Sequence, residues 1–341
     1  MKFFLTIIFL FAFWVNAQQQ ITENDIPFVI FDYDCNSCNA FNYPSGSVII
    51  IPADAFDVPN CCNGQIKIKY REFHSKFDFF VGNLNTRFLA KGDKNFRVLE
   101  SAGMFEWRAE CNGKVIAMKG DKEVQIRMKM QRNLPDLCMY KFNESGKYFE
   151  RFACNQQDFS YNSQKNEADN KSLWGGRPSP DMIKAIDPAS NPEDPMVFER
   201  MAWVKELPEG IFKSFNVRQP GIYNYDRVID DPNAVKILAD FKFPDGSKVD
   251  DKVYVSYKNL NSIIEYYPED FLERFVLLNK YEIEIYATKK DGRVGVLKPD
   301  FFETNNIQNF KDKILTFNLE YLPQKPKNKY EAAKQLKLSN Q

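Results

Sequence analysis

Apolar and polar side chains alternate with period two along much of this chain. Ile66, Ile68 and Tyr70 alternate with Lys67, Lys69 and Arg71. Val124, Ile126, Met128 and Met130 alternate with Gln125, Arg127 and Lys129. The same beat returns at Tyr281, Ile283 and Ile285, and at Leu315, Phe317, Leu319 and Tyr321. Each run predicts a strand with one face inward and one charged face in water. Asn112-Gly113, Ser145-Gly146, Asp245-Gly246 and Asp291-Gly292 sit between such runs and predict hairpin turns. Helical pattern is sparse. Pro180–Ile186, Pro268–Arg274 and Pro299–Glu303 read as single turns or short helices opened by proline, and Asn328–Leu338 as a short tail helix.

The alternation breaks between Asn155 and Pro195, where Asn, Gln, Ser, Asp and five prolines crowd together. Such a stretch buries little and extends a sheet poorly. The expected fold is therefore all-β, with two antiparallel β-sandwich modules joined by a Pro/Asn-rich linker. The expected divisions are a lead-in at 18–39, a first sandwich at 40–154, the linker at 155–195, a second sandwich at 196–323 and a polar tail at 324–341.

The N-terminus changes the meaning of the composition. Lys2 precedes an apolar run from Phe3 to Val15, and Val15-Asn16-Ala17 is followed by Gln18. This reads as a signal peptide at 1–17, cleaved after Ala17. A membrane-spanning helix needs about 20 apolar residues, more than this run holds. No later run approaches that length, so no transmembrane segment is expected after cleavage. The chain carries 46 basic and 46 acidic side chains. Loss of Lys2 leaves the mature chain near −1. That balance argues against a protein held to nucleic acid by counterion release.

All seven cysteines, Cys35, Cys38, Cys61, Cys62, Cys111, Cys138 and Cys154, precede residue 155. Export favours disulfides. Cys35 and Cys38 are expected to bridge to the vicinal pair Cys61-Cys62. Cys111 is then left to pair with Cys138 or Cys154, with one thiol free. Connectivity does not follow from spacing. Zinc held by four thiols, or redox chemistry at Cys35-x-x-Cys38, are the alternatives. The tight Cys61-Cys62 pair makes a poor second zinc knuckle, and the Asn-rich setting does not suggest the strand-to-helix context of a redox motif.

Gly46–Phe56 reads as a strand followed by Ile-Pro-Ala-x-Ala-Phe. Gly64–Phe73, Phe77–Phe80 and Glu100–Glu106 follow. This series resembles a group of exported Bacteroidota proteins that share "G-x-x-I-x-I-P-x-x-A-F … G-x-V-x-I-x-Y-R-E". More distantly it is similar to ZU5-type β-sandwich modules. Phe215–Arg227 resembles the "F-G-I-x-N-x-D" stretch of the same exported group. The resemblance covers about residues 44–130 and 196–300. It implies an interaction or structural role and carries no catalytic assignment. The Cys61-Cys62 pair falls where the pattern places a turn between strands, a departure that suggests a stapled loop.

Candidate chemistry is thin. The single His, His74, rules out a multi-His metal site within one chain. No nucleophile elbow, phosphate-binding Gly loop or His-Glu-x-x-His is present, and no cofactor is expected. Asp32, Asp34 and Asn36 start like a calcium loop, but Ser37 replaces the required Gly and Tyr43 the closing Glu. Arg71 and Glu72 point to opposite faces of a strand, so Arg71 is expected to pair with Glu100 or Glu106. Trp107 and Trp203 read as core. Trp174, Tyr223, Asn224, Tyr225, Asp226 and Arg227 mix stacking surfaces with hydrogen-bonding groups, as a glycan or peptide site does. The competing reading packs those tyrosines onto the sandwich. Asn143-Glu144-Ser145 and Asn170-Lys171-Ser172 match glycosylation acceptors, which matters only in a host with that machinery.

Together these features suggest an exported, non-catalytic cell-envelope or surface protein, in the periplasm or at the cell surface, whose partner is an envelope protein or a glycan. The alternatives are an enzyme or accessory acting on glycans or peptidoglycan through carboxylates, and a secretion or surface-motility accessory. A carboxylate pair about 5–10 Å apart in one cleft would favour the enzyme. A flat aromatic patch would favour binding.

Overall fold

A computed structural model describes residues 26–130, 132–154 and 211–338. The signal segment and the linker, with Trp174, Trp203 and the turn expected at Pro180–Ile186, lie outside them. The described chain is mostly strand, and its helices are short.

In chain order the first strands are β1 (Val29–Asp32), β2 (Asn39–Asn42), β3 (Val48–Ile51) and β4 (Ile66–Phe73). Helix α1 (Lys76–Val81) follows, then β5 (Arg87–Phe88), the long β6 (Arg97–Cys111) and β7 (Lys114–Val115). Next come β8 (Val124–Met130), β9 (Cys138–Asn143) and β10 (Tyr148–Ala153). Beyond the linker run β11 (Ile211–Val217), β12 (Gly221–Ile229), β13 (Val235–Lys236), β14 (Leu238–Lys242), β15 (Val253–Tyr257) and β16 (Ile263–Tyr266). Helix α2 (Pro268–Phe271), β17 (Val276–Leu277), β18 (Ile283–Thr288), β19 (Val294–Leu297), α3 (Phe301–Thr304), β20 (Ile314–Tyr321) and α4 (Lys329–Gln335) complete the order.

The central sheet runs β1-β4-β6-β12-β9-β10-β5, with β7 hairpinned to β6. A second sheet, β11-β8-β3-β2, covers one of its faces. Between them lie Ile66, Ile68, Tyr70, Phe105, Trp107 and Tyr223 from the central sheet, and Ile49, Ile126, Met128 and Phe215 from the second. The opposite face of the central sheet carries Phe73, Leu99, Met104 and Tyr140. These pack against Phe79 and Phe80 of α1, Tyr254, Ile263 and Tyr286 of the C-terminal sheet, and Ala332 and Ala333 of α4. The C-terminal sheet runs β14-β20-β19-β18-β15-β16. It closes a third, phenylalanine-rich core around Phe241, Phe275 and Phe317.

The period-two runs form strands as expected. In β8 the burial alternates along the whole strand, with Val124, Ile126, Met128 and Met130 inside. Three of the four expected hairpin turns place glycine at positive φ, as at Asn112-Gly113 (φ 50° and 74°). The Ser145-Gly146 turn differs: Lys147, at φ 55°, takes the left-handed position.

Two expectations about boundaries need correcting. The second sandwich was expected to begin at 196, yet β11 and β12 belong to the sheets of the first half. β11 pairs with β8 along its full length, and β12 lies between β6 and β9. Alternation tells which face of a strand is buried, not which strand lies beside it, so the linker looked like a border when it is an excursion. The tail at 324–341 is also not simply polar. Asn328 caps α4 through the Glu331 amide, and Ala332, Ala333 and Leu338 are buried against α1 and the central sheet.

The cysteines pair differently from the expectation. Among the described residues the bridges are Cys35–Cys61, Cys62–Cys111 and Cys138–Cys154, and Cys38 is an exposed free thiol. Register explains this. β4 and β6 are antiparallel with Ile66 opposite Cys111, so the chain just before β4 brings Cys62 to Cys111. Tyr33 N–H donates to Ile66 O (3.1 Å), which brings Cys35 to the same place. β9 and β10 pair Met139 with Ala153, which sets Cys138 beside Cys154.

Between the first two bridges, Asn60, Cys61, Cys62, Asn63 and Gly64 all hold positive φ, from 49° to 74°. This is one turn of left-handed helix. L-residues resist it by about 1–2 kcal/mol each, so the vicinal bridges and the close i to i−3 hydrogen bonds must hold it in place.

Candidate functional site

The most chemically loaded part of the molecule is a buried polar seam where the central sheet meets α1 and the C-terminal half. It begins in β4. After Tyr70 the alternation stops, and Arg71, Glu72, Phe73 and His74 are all buried because both sheet faces are covered there. Glu72 Oε1 accepts from Tyr70 O–H (2.8 Å), and Oε2 lies 2.7 Å from His74 Nε2. Burial pushes the Glu72 carboxyl up, but His74 and the hydroxyls of Ser47 and Ser45 outweigh it and hold it below its usual value. On the other β4 face, Arg71 Nε donates to Glu106 Oε2 (2.6 Å), the expected pairing, and Arg71 Nη1 donates to Ile26 O (2.7 Å). Arg108 shares Glu106 through Oε1 (2.5 Å).

From His74 the chain turns into α1. Ser75 and Asp78 form a capping box, and Asp78 Oδ2 also accepts from His74 N–H (2.8 Å). Beyond α1, Thr86 meets the C-terminal half: its hydroxyl lies 2.7 Å from Ser262 Oγ, and its N–H donates to Ile263 O (2.6 Å). Arg87, 3% exposed, donates to Asp270 Oδ2 (2.8 Å), Glu265 O (3.1 Å) and Lys147 O (2.6 Å). Lys252 donates to Glu265 Oε1 (2.7 Å) and Asn83 Oδ1 (2.5 Å). Burial opposes the charge of Glu265, and Lys252 and Tyr267 reverse that and hold its carboxyl down.

β6 and β12 supply the centre of the seam. The register shifts between Tyr225 and Asp226, which face Gly103 and Ser101 and leave Ala102 over. This bulge lets Leu99 and Met104, five residues apart, enter the same core. Gly103 holds φ 154° there, a backbone conformation that residues with a side chain rarely adopt. Ser101 Oγ donates to Asn224 Oδ1 (2.8 Å), and Asn224 Nδ2 donates to Asp226 Oδ2. Asn261 Nδ2 donates to both His74 O (2.9 Å) and Ser101 O (3.0 Å). Beside this cluster Glu100 is held by Arg227 (2.7 Å) and Arg132 (3.4 Å).

The residues expected to bind a glycan or peptide therefore behave otherwise. Tyr223, Asn224, Tyr225 and Asp226 are buried in a central strand, and Arg227 is half-buried on Glu100. Tyr223 O–H donates to Gln219 O (2.7 Å), and its ring stacks on Phe105. They form no exposed stacking surface. The competing reading, tyrosines packed onto the sandwich, is the one the fold adopts. Trp107 is core, as expected. The Asp32-Asp34-Asn36 loop is satisfied internally. Asp32 pairs with Lys67, and Asp34 accepts from Asn36 N–H (2.9 Å) and Ser37 O–H (2.8 Å). Among the described residues no group of three or more His, Cys, Asp or Glu side chains could hold a metal ion.

Sequence reasoning missed Glu72, Ser101, Asn224 and Asn261 as one network. A faint signal existed: the strand runs lose alternation at Arg71-Glu72-Phe73-His74 and at Asn224-Tyr225-Asp226, where a second layer covers the sheet. Chemically the seam binds charge to charge inside the protein. Its carboxylates at Glu72, Glu100, Glu106, Glu265 and Asp270 each face a cation or histidine of the chain itself.

No protein-family model matches the chain, and no curated protein matches it.

Proposed function

We propose that the protein is an exported, non-catalytic component of the cell envelope or cell surface, with a binding or structural role. The observation that carries this is the set of three bridges in the first half, which belong to an oxidising compartment. Two further points support it: the apolar N-terminal segment ending at Ala17, and the resemblance to exported Bacteroidota proteins and ZU5-type modules. The buried acids favour a non-catalytic role. Glu100, Glu106, Glu265 and Asp270 are engaged by the protein's own arginines and lysine, whereas a glycosidase keeps one acid open to substrate and water. No helix among the described residues is long and apolar enough to cross a membrane.

The test is expression of the full chain in a host that exports it, followed by mass analysis, thiol counting in denaturant, and incubation with a panel of glycans and peptidoglycan fragments. The expected result is a chain beginning at Gln18, one titratable thiol at Cys38, and retention by envelope material without hydrolysis. Hydrolysis of any panel member, or an intact N-terminus with reduced cysteines, overturns the proposal.

A further inference from the structure

Distant parts of the chain bring an amine, an amide and a carboxylate together at one end of the seam. Lys252, just before β15, is 8% exposed, and its Nζ donates to Asn83 Oδ1 (2.5 Å) and Glu265 Oε1 (2.7 Å). Asn83 follows α1 with φ 57° and lies 169 residues from Lys252 along the chain. Lys329, at the start of α4 and 5% exposed, also donates to Asn83 Oδ1 (3.3 Å). Ammonium groups only donate, so the Asn83 atom between the two lysines is its carbonyl oxygen. Glu265 is buried in β16, and its Oε2 accepts from Tyr267 O–H (2.9 Å). The rings of Tyr254 and Tyr267 flank the Lys252 ammonium at 5.2 and 6.0 Å. Asn83 Cγ lies one C=O bond beyond Oδ1, about 1.2 Å. The amine is therefore close to the attack separation of about 3–3.5 Å. These are the parts an amide exchange needs: a buried amine, an amide to receive it, a carboxylate to carry protons and a cation on the carbonyl oxygen.

We propose that Lys252 and Asn83 become joined by an isopeptide bond that the protein forms on itself. Lys252 Nζ is the nucleophile, Glu265 the proton carrier and Lys329 the clamp on the carbonyl oxygen. Burial pushes the Glu265 carboxyl up, but Lys252 and Tyr267 outweigh it and keep the ionised form that a base requires. Lys252 passes a proton to Glu265 Oε1 along their hydrogen bond and becomes a neutral amine. Its lone pair forms the bond to Asn83 Cγ while the C=O electrons shift to Oδ1, where Lys329 meets the developing charge. As the C=O re-forms, the Cγ–Nδ2 bond breaks. Nδ2 takes the proton held by Glu265, then the second proton given up by Nζ, and leaves as ammonium. Glu265 returns to carboxylate, so charge balances and no oxidant is needed. Asn83 is exposed, which gives the leaving group a way out. The link spans 169 residues, against 49 for the longest disulfide. It ties the corner after α1 to the C-terminal sheet, where there is no cysteine. Unlike the disulfides, it forms in any redox compartment.

Mass mapping of the full chain tests the bond. The purified protein is reduced, denatured and digested with trypsin. The expected result is a linked pair of peptides holding Asn83 and Lys252, lighter than the two together by one ammonia. Fragment ions should place the bond on Asn83 and not on Asn85 in the same peptide. Glu265→Gln should cut the yield of the linked pair at least about tenfold, with the three disulfides retained as a sign of folding. Recovery of Asn83 and Lys252 of the natural chain only in separate peptides overturns the proposal, whether or not the variant folds. A bond on Lys329 in place of Lys252 overturns it too, as does full linkage in a folded Glu265→Gln chain.

Discussion

The two halves of the molecule solve one problem differently. Both bury dense aromatic cores against β-sheets, the first around Tyr70, Phe105 and Trp107, the second around Phe241, Phe275 and Phe317. The first half adds three covalent bridges, all at strand ends or in the loops beside them. The second half has no cysteine and closes its sheet with hydrogen-bonded turns and surface ion networks, as where Asp245 takes Lys289, Ser247 and Tyr321. The difference follows from loop geometry. The first half must hold a left-handed turn at 60–64, and covalent links fix what local backbone preference opposes. Among the described residues the second half has no such left-handed turn, and its long connection between β19 and β20 is held by the short helix α3 and by Phe301 packed on Phe317.

Experiments that break this comparison can be ranked by expected effect. The largest falls on the seam that joins the halves. Arg87→Ala takes the buried ion-pair partner from Asp270 and one donor each from the carbonyls of Glu265, Lys147 and Gly146, and should lower unfolding stability by about 3–5 kcal/mol in urea titration. A loss under about 1 kcal/mol would show that the halves are held together elsewhere.

Next come the bridges. Removing Cys62 and Cys111 together opens the longest loop, with a separation of 49 residues, and should cost about 4 kcal/mol. Removing Cys138 and Cys154, separated by 16, should cost about 3 kcal/mol. Hydrogen exchange sharpens the point: faster exchange confined to β1–β12 means the halves unfold separately, whereas a uniform rise means one cooperative unit.

Glu72→Gln probes an acid held down in the fold, whereas burial drives the Asp226 carboxyl up. A carboxyl held down in the fold contributes stability above its unfolded value of 4.5, lost as pH falls through the folded value. The variant should therefore be less stable than the natural chain at pH 7, and the gap should close as pH falls through the folded value. A gap that widens in acid would contradict a Glu72 carboxyl held down in the fold.

The smallest effect belongs to the exposed Lys67–Asp32 pair between β4 and β1. Lys67→Ala should change the melting temperature by no more than about 1 kcal/mol of stability allows, and salt should erase the change.

Much of the strand content was legible because alternation is a local signature. β4, β8 and β20 face the way Ile66, Ile126 and Phe317 predict. The turns at Asn112-Gly113 and Asp291-Gly292 announced themselves through residues that tolerate positive φ. The short helices at Pro268 and Asn328 were legible from a proline and a cap. β12 was not. Covered on both faces, it alternates Tyr223 and Tyr225 with Asn224 and Asp226, and such a mixture reads equally well as an exposed binding turn. Asn261 gave no warning at all, since a loop asparagine becomes structural only when His74 and Ser101 are brought to it.

The sequence by itself determined that the chain is built of strands, which face of most strands turns inward, and that covalent staples belong to the first half alone. These depend on neighbours two to four residues away. The tertiary structure decided which strand pairs with which, and so placed β11 and β12 in the first-half sheets. It matched Cys62 with Cys111 by the register of β4 on β6, and gave two buried acids opposite character. Glu72 meets a histidine and hydroxyls and keeps its charge, while Asp226 meets only neutral donors and another acid. Partner, register and local dielectric are properties of residues distant along the chain, so no local pattern encodes them.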